Sequence, residues 1–246
     1  MRKWIRRIWV GSGLAFTVWL VWNAQARGVS SGLLQSSGAV AVRDSGGVLQ
    51  FMPRHDTTSA GLIFLPGGAI DPRAYVPLLR AVAEAGHPAV LVRLPWRAAP
   101  TDASRQVVWD RVLAIANQQP ERRWILSGHS RGAALSARFA GEHPEALAGL
   151  VLIATTHPKE FSLAALPIPV TKIYATNDCV ADSAAVFANA GLLPAGTRWV
   201  RLEGGNHRQF GWYGAQLGDC SATIGREAQQ AATLETLLES LQRTPP

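Results

Sequence analysis

The sequence predicts an α/β domain in which a mostly parallel sheet lies between two layers of helices. Short apolar runs of strand type alternate along the chain with longer segments of helical type, which is the pattern of parallel sheets. The chain has 246 residues, of which 48% are hydrophobic and 17% charged, so it is long and apolar enough for one folded domain. A Gly-x-Ser-x-Gly sequence also stands between a strand-like run and an Ala-rich segment.

The first 26 residues are interpreted as a targeting segment. Four basic residues lie within the first seven positions, an apolar stretch covers residues 8–22, and Ala24-Gln25-Ala26 fits a small-x-small cleavage site. The segment is therefore either a cleaved signal peptide or, if uncleaved, a membrane anchor. Both alternatives place the protein outside the cytoplasm. Residues 27–37 are rich in serine and glycine and are predicted to form a linker, and residues 38–246 form the domain.

The net charge of +7 does not indicate a nucleic-acid partner. More than half of it comes from the four basic residues of the targeting segment, and no basic run occurs elsewhere. The histidines and acids show no recognisable spacing of metal ligands, so we expect no metal and no cofactor. The expected partner is a small molecule, and the expected state is a monomer.

The domain begins with a predicted β-hairpin. Residues 38–43 and 48–52 are strand-like and are joined by a turn that contains two glycines. Residues 61–65 are continuously apolar, as expected of a buried parallel strand. Asp71-Pro72 is typical of the start of a helix, which we expect to run to about residue 85.

Strands and helices alternate in the rest of the chain. Strands are predicted at residues 89–94, 123–127, 147–154, 170–175 and 197–202. Helices are predicted at residues 102–118, from the Gly-x-Ser-x-Gly sequence to 142, at 182–190 and at 226–241. No internal repeat and no second domain are visible.

The Gly-x-Ser-x-Gly sequence is interpreted as a nucleophile elbow around Ser130. A strand-to-helix turn this sharp strains the backbone at the serine, and side chains at Gly128 or Gly132 would collide with the neighbouring elements. The turn raises the hydroxyl above the start of a helix. There the backbone N–H of Arg131 can face an oxyanion.

A serine hydroxyl needs a base, and the base needs an orienting acid. In this architecture the acid and the histidine follow the serine along the chain, each after a later strand. Asp178 and His207 fit these places. Asp182 is a rival for the acid, although it suits the cap of the next helix better. His129 lies inside the elbow and is expected to line it without taking a proton from Ser130.

The second oxyanion donor should come from the glycine-rich turn after residues 61–65. Gly68 is the first choice and Ala69 the next, because glycines let a backbone approach a substrate closely. Apolar walls of the cleft are expected from aromatic residues in nearby loops, although each of these could equally be ordinary packing. They are Trp96, Phe161, Phe210, Trp212 and Tyr213, of which the last three, beside His207, fit best.

Four sequences together resemble the α/β-hydrolase superfamily from residue 38 to the C-terminus. They are Leu65-Pro66-Gly67-Gly68, Gly128-His129-Ser130-Arg131-Gly132, Thr176-Asn177-Asp178 and Gly204-Gly205-Asn206-His207. The chain is most similar to compact, lidless bacterial members related to dienelactone hydrolases. Those enzymes carry a cysteine nucleophile where this chain has Ser130, so their substrate is not implied. The resemblance implies a three-layer fold without a sizeable lid, and hydrolysis of an ester or thioester through an acyl-enzyme.

Two other functions remain open from the sequence. The chain could be an envelope-anchored binding protein on a hydrolase fold, although binding alone would not require the serine, acid, histidine and both oxyanion loops. It could also transfer an acyl group to an acceptor other than water through the same three residues.

Cys179 and Cys220, the only cysteines, are predicted to form a disulfide. In similar hydrolases both places usually hold glycine, so the pair looks like one joint change. Cys179 follows the proposed acid, and Cys220 lies in the loop after the proposed base. Export would supply the oxidising compartment. The alternative is two buried free thiols.

Overall fold

The structure, a computed structural model, describes residues 2–55 and 58–243. Within them eight strands form one sheet in the order β1-β2-β4-β3-β5-β6-β7-β8. The strands are β1 Val40–Ser45, β2 Val48–Pro53, β3 Ala60–Leu65, β4 Ala89–Val92, β5 Arg123–His129, β6 Gly149–Ile153, β7 Val170–Ala175 and β8 Arg198–Leu202. The helices are α1 Arg2–Asn23, α2 Val76–Glu84, α3 Asp102–Gln118, α4 Arg131–Glu142, α5 Ser183–Ala188 and α6 Arg226–Gln242.

The sheet is mostly parallel, as predicted. Strands β1 and β2 form the expected antiparallel hairpin, and β2 also pairs antiparallel with β4. All pairs from β4 through β3, β5, β6 and β7 to β8 are parallel. The carboxyl ends of these six strands therefore meet at one edge, where ligands bind in open α/β sheets.

Two apolar cores cover the two faces of the sheet. One packs side chains of α2 and α6, among them Leu79 and Leu237, against the sheet. The other packs α3 and α4, among them Val108 and Phe139, against the opposite face. The three predicted layers are thus present, and strand β3, between the two cores, is buried along its whole length.

Most predicted elements lie within a few residues of their expected bounds, and the first domain helix is the main difference. It begins as a 3₁₀ turn at Pro72–Tyr75, whose N-cap is Asp71, and becomes α-helical only at Val76. Pro77 has no N–H to donate to a preceding carbonyl, so the α-helical hydrogen-bond pattern cannot run through this point.

No sizeable lid covers the sheet edge in the part of the chain described. Residues 154–169, which connect β6 to β7, contain no helix. This connection is short and packs back on the domain through Leu163, which is buried in the second core. The lidless architecture predicted from the resemblance is confirmed.

The N-terminal segment has two parts with different surroundings. In α1 every residue before Asn23 is exposed, and no helix among residues 2–55 and 58–243 is long and apolar enough to span a bilayer. The segment predicted as a linker instead packs on the domain. Leu33 and Leu34 contact the first core, and the buried Arg80 donates to the carbonyls of Leu33 and Gln35 at 3.0 and 2.7 Å.

Candidate active site

Ser130 occupies a sharp turn between β5 and α4. Its φ of 52° and ψ of −114° lie outside the regions that non-glycine residues usually adopt, and its N–H donates to the Ile153 carbonyl at 2.9 Å. Glycine is required on both sides of the turn. A Cβ at Gly128 would lie 2.4 Å from the carbonyl carbon of Gly132, and a Cβ at Gly132 would lie 2.0 Å from the carbonyl oxygen of Leu65. The backbone thus has the geometry expected of a nucleophile elbow.

Asp178 and His207 form a buried pair beside this turn. His207 Nδ1 donates to Asp178 Oδ2 at 2.8 Å, and both side chains are almost fully buried. Asp178 Oδ1 accepts the N–H groups of Val180 and Ala181 at 2.8 and 2.7 Å. Because the carboxylate holds the proton on Nδ1, Nε2 is left as a hydrogen-bond acceptor. Nε2 is buried and has no partner among the residues described.

The rival acid has a different role in the structure. Asp182 Oδ1 accepts the N–H of Ala185 at 2.9 Å and is the N-cap of α5. It makes no contact with His207 among the described hydrogen bonds. The geometry therefore supports Asp178 as the partner of the histidine.

A set of polar side chains that the sequence did not reveal holds the loop of His207. Asp219 accepts the N–H groups of His207 and Arg208 at 3.2 and 3.0 Å. Gln229, fully buried on α6, accepts the N–H of Asn206 at 3.0 Å and donates to its carbonyl at 2.7 Å. These contacts join residues far apart along the chain, and no local motif signals them.

The two proposed oxyanion donors lie next to each other. A Cβ built on Gly68 would lie 3.1 Å from the Arg131 Cβ, so the two backbones approach closely. The N–H of Ala69 donates to the Arg97 carbonyl at 2.8 Å, and that of Gly67 donates to the Tyr75 hydroxyl at 3.0 Å. The N–H groups of Gly68 and Arg131 have no partner among the described residues. This arrangement supports Gly68 over Ala69.

His129 is buried beneath the site and does not line the cleft, contrary to the prediction. Its Nδ1 accepts from the Tyr75 hydroxyl at 2.8 Å, and its ring centroid lies 4.6 Å from that of His207. Burial is the main cause that holds the pKa of His129 well below its usual value, and the nearby His207 adds to it. A neutral ring in this place can support His207 without competing for its proton.

A cleft of about 230 Å³ joins Ser130 and His207. Its lining comes from the elbow and the start of α4, from the connection after β6 and from the loops of Asp178 and His207, namely Ser130, Arg131, Ala134, Ala154, Thr155, Thr156, His157, Val180, Ala181 and His207. Thr155, Thr156 and His157 of the β6–β7 connection were not predicted to line the cleft, since the sequence there shows no pattern. Burial is the main cause that lowers the pKa of His157, and the positive charges of Lys159, Lys172 and Arg131 lower it further.

The aromatic walls predicted for the cleft lie elsewhere. Phe210 and Tyr213 belong to the first core, with 1% of each side chain exposed, because their loop turns inward after His207. Trp212 borders a separate groove with Pro77 and Leu234, and Phe161 lies against the end of α4. Trp96 is 86% exposed and does not line the cleft. Apolar residues in loops can pack inward or outward, which composition alone cannot decide.

The predicted disulfide between Cys179 and Cys220 is present. Their Cα atoms are 5.3 Å apart, and the bond closes a loop with a sequence separation of 41. Cys179 directly follows Asp178, and the Cys220 carbonyl accepts from Asn206 Nδ2 at 2.7 Å. The bond thus connects the loop of the acid to the loop of the histidine.

Two other structural features bear on the assignment of the site. Within residues 2–55 and 58–243 no group of three His, Cys, Asp or Glu side chains could hold a metal ion. A cavity of about 280 Å³, larger than the cleft, lies at the opposite edge of the sheet near Trp124 and Leu147. It contains no histidine, serine or cysteine, so it offers no nucleophile and base.

Comparison with known proteins agrees with this fold. Residues 61–231 match the alpha/beta hydrolase family. The chain belongs to that family. A search of curated protein sequences gave no match.

Three solved structures show the same fold at low sequence identity. A predicted CIB-like hydrolase from Thermoplasma acidophilum has a TM-score of 0.62 at 13% identity, covering 81% of this chain and 99% of its own. TT1662 from Thermus thermophilus has a TM-score of 0.61 at 15% identity, and the match covers 82% of this chain and 98% of TT1662. An arylesterase has a TM-score of 0.58 at 13% identity, and the match covers 84% of this chain and 87% of the arylesterase. At such identities the likeness shows the fold of this hydrolase.

Proposed function

We propose that this hydrolase cleaves a carboxylic ester or thioester through an acyl-enzyme on Ser130. The observation that carries the proposal is the Asp178–His207 pair. Its unpartnered, buried Nε2 belongs to a ring that lines the same cleft as Ser130. A histidine oriented in this way by a carboxylate is the base that a serine nucleophile requires.

The residues present account for each step of such a reaction. Nε2 of His207 takes the proton from Ser130 Oγ as the oxygen attacks the carbonyl carbon of the ester. The N–H groups of Arg131 and Gly68 hydrogen-bond the resulting oxyanion, and Asp178 stabilises the imidazolium. When the intermediate collapses, Nε2–H gives its proton to the leaving alcohol or thiol. Water, deprotonated by the same nitrogen, then attacks the acyl-enzyme, and Ser130 recovers its proton.

The direct test is hydrolysis of p-nitrophenyl esters of increasing chain length by wild type and by Ser130→Ala. The variant should lose about a thousandfold or more in kcat/KM while keeping its fold. Ser127→Ala is the matched control. The Ser127 hydroxyl is buried without a hydrogen-bond partner in the described part of the chain, so its removal breaks no hydrogen bond. An unchanged rate in Ser130→Ala would show that another residue is the nucleophile.

The same proposal places the hydrolase outside the cytoplasm. The basic residues at the start of the chain and the apolar stretch after them support export, and a disulfide persists in oxidising compartments. An alkaline phosphatase fused after residue 40 should be active in bacteria, whereas a reporter that works only in the cytoplasm should be silent there. The reverse result would contradict export.

A further inference from the structure

The hydrolase domain includes residues that removal of a signal peptide after Ala26 would take away. The Asn23 carbonyl accepts the N–H of Gly214 at 2.8 Å, and Asn23 Oδ1 accepts that of Ala215 at 2.9 Å. The Ala24 carbonyl accepts the N–H of Asp71 at 2.8 Å. Asn23 and Asp71 are both buried. Cleavage would leave the N–H groups of Asp71 and Gly214 without acceptors, which is unfavourable in a folded domain. The mature protein should therefore keep these residues and α1 with them.

Helix α1 leaves the domain at the edge of the sheet that carries the candidate active site. Asp71 follows β3 three residues after Gly68, and Gly214 follows β8 in the loop that begins near His207. The carboxyl ends of β3 and β8 lie at the same edge as Ser130. The two loops that hold the base of α1 are thus the loops that supply an oxyanion donor and the catalytic base.

The same edge exposes large apolar side chains. Outside α1, three of the five exposed large apolar residues in the described chain lie on loops after parallel strands. They are Trp96 after β4, Val180 after β7 and Leu217 after β8, with 86%, 41% and 63% exposed. The other two, Val107 and Phe187, lie on helices. The exposed apolar surface is therefore concentrated on the rim, which we define as the loops that carry Trp96, Val180 and Leu217.

Trp96 directly precedes Arg97, a residue that contacts both the base of α1 and the oxyanion loop. Its backbone is in the left-handed region, with φ of 55°. Its neighbour Arg97 contacts Gln25 Oε1 through a guanidinium nitrogen at 3.5 Å, and the Arg97 carbonyl accepts the N–H of Ala69. A strained backbone that holds a large aromatic side chain in solvent is a feature expected where that side chain contacts a ligand.

The composition of α1 indicates what this surface meets. The helix exposes large apolar side chains from Trp4 to Trp22, and tryptophans occur near both of its ends. Its four cationic residues, all within the first two turns, are matched by no acidic residue. Tryptophan at the ends and cations without acids are typical of helices that bind bilayers with anionic headgroups. A protein partner would not require this one-sided charge.

We propose that α1 is retained and binds a lipid bilayer, that the rim faces the bilayer, and that the substrate is an ester of a membrane-borne amphiphile. This inference rests on the proposed function, because it names the substrate class of the same cleft. The absence of a lid leaves the cleft open toward such a surface. An acyl ester in the outer layer of a bilayer would reach Ser130 without leaving the membrane.

The experiment uses the full chain with vesicles of phosphatidylcholine, alone or mixed with phosphatidylglycerol. Vesicle flotation measures binding. Hydrolysis is measured on water-soluble p-nitrophenyl acetate and on p-nitrophenyl palmitate carried in the vesicles. Wild type should float, more completely with the anionic mixture, and intact mass should show that the exported protein begins before Asn23. The exposed α1 pair Leu14→Glu with Val18→Glu should abolish flotation.

The rim is tested separately by Trp96→Ser combined with Leu217→Ser. These changes should lower hydrolysis of the vesicle-borne ester by about tenfold or more, because two apolar contacts with the bilayer are lost, and leave the soluble ester unchanged. Val107→Ser, an exposed apolar residue on α3, is the matched control and should behave as wild type.

Three results would overturn the inference. They are an N-terminus at Arg27, no flotation of wild type, and equal effects of the rim and control variants on the vesicle-borne ester. Each is compatible with hydrolysis of the soluble ester, which then shows that the proposed function stands alone. Conversely, no hydrolysis of either ester would contradict the proposed function, whereas flotation and intact mass would still test the attachment.

Discussion

Ser130 combines an unfavourable backbone conformation with a place in the lining of the cleft. A non-glycine residue at φ of 52° and ψ of −114° is destabilised by about 1–3 kcal/mol, and such strain persists only where the surroundings impose it. Here the surroundings are the close approaches at Gly128 and Gly132. Alanine at either glycine should therefore prevent the turn from forming, whereas Ser130→Ala retains a Cβ in the same place and should fold.

Asp178→Asn should reduce kcat by about a thousandfold or more. The amide cannot accept both backbone N–H groups and the Nδ1 proton as the carboxylate does, so the tautomer and the charge stabilisation of His207 are lost. Asp182→Asn is the control, since it alters only the cap of α5. Steady-state kinetics on a soluble ester compares the two, and comparable losses would reassign the acid.

Tyr75→Phe should both destabilise the domain and slow the enzyme. The Tyr75 hydroxyl accepts from the N–H of Gly67, next to the proposed oxyanion donor, and donates to His129. Its removal leaves two buried polar groups unpaired, at a cost of about 2 kcal/mol in the free energy of unfolding. We expect kcat to fall more than KM changes, because the oxyanion loop loosens.

Urea unfolding and kinetics test this role, with Tyr174→Phe as the control. The hydroxyl of Tyr174 has no hydrogen bond within residues 2–55 and 58–243. Equal effects of the two substitutions on stability and on kcat would remove Tyr75 from the description of the site.

At the scale of elements, the disulfide joins the two loops that follow β7 and β8. In the chain-entropy model a closed loop of this length stabilises the fold by about 4 kcal/mol. Reduction of wild type should therefore lower the melting temperature and the hydrolase activity together, because Asp178 and His207 lose a shared constraint. Thiol titration of the unfolded, unreduced protein should detect no free thiol; two would contradict the bond.

Lys172, in the middle of β7, hydrogen-bonds the chain segment that joins β6 to β7. Its side chain is fully buried, donates to the His157 carbonyl at 2.8 Å and lies 5.7 Å from the Trp199 ring centroid. It forms no ion pair among the described residues, and burial lowers its pKa to about 8. A charged lysine here is unfavourable for folding but holds the connection that lines the cleft.

Lys172→Met should therefore stabilise the fold near pH 7. Below pH 8 the lysine is protonated in both states and its burial cost is fully present. The lysine pKa in the unfolded state is about 10.4. As pH rises from 8 toward that pKa, the folded state loses the proton first, so the free energy of unfolding of wild type rises by up to about 3 kcal/mol relative to that of the variant. Urea unfolding at pH 7 and pH 9.5 should show the advantage of the variant shrinking. A constant difference would contradict the role of charge, and exposed Lys159→Met is the control.

At the scale of the whole molecule, the strands and the sharp turn at Ser130 could be predicted because local signals carry them. Apolar runs predicted β3 and β5, and the glycines at positions 128 and 132 indicated the turn at Ser130. The position of Phe210 and Tyr213 could not be predicted, because loop aromatics pack inward or outward according to distant neighbours. The docking of residues 23–35 and the burial of Lys172 likewise depend on contacts between segments far apart in sequence.

The central claim is that Ser130 is a nucleophile activated by His207, and a fluorophosphonate probe tests it most directly. Such probes react with an activated serine and label an ordinary hydroxyl poorly. Wild type should be labelled at Ser130, located by peptide mass spectrometry, and His207→Gln should be labelled far more slowly. Labelling at another residue, or none in a folded protein with an intact disulfide, would contradict the account.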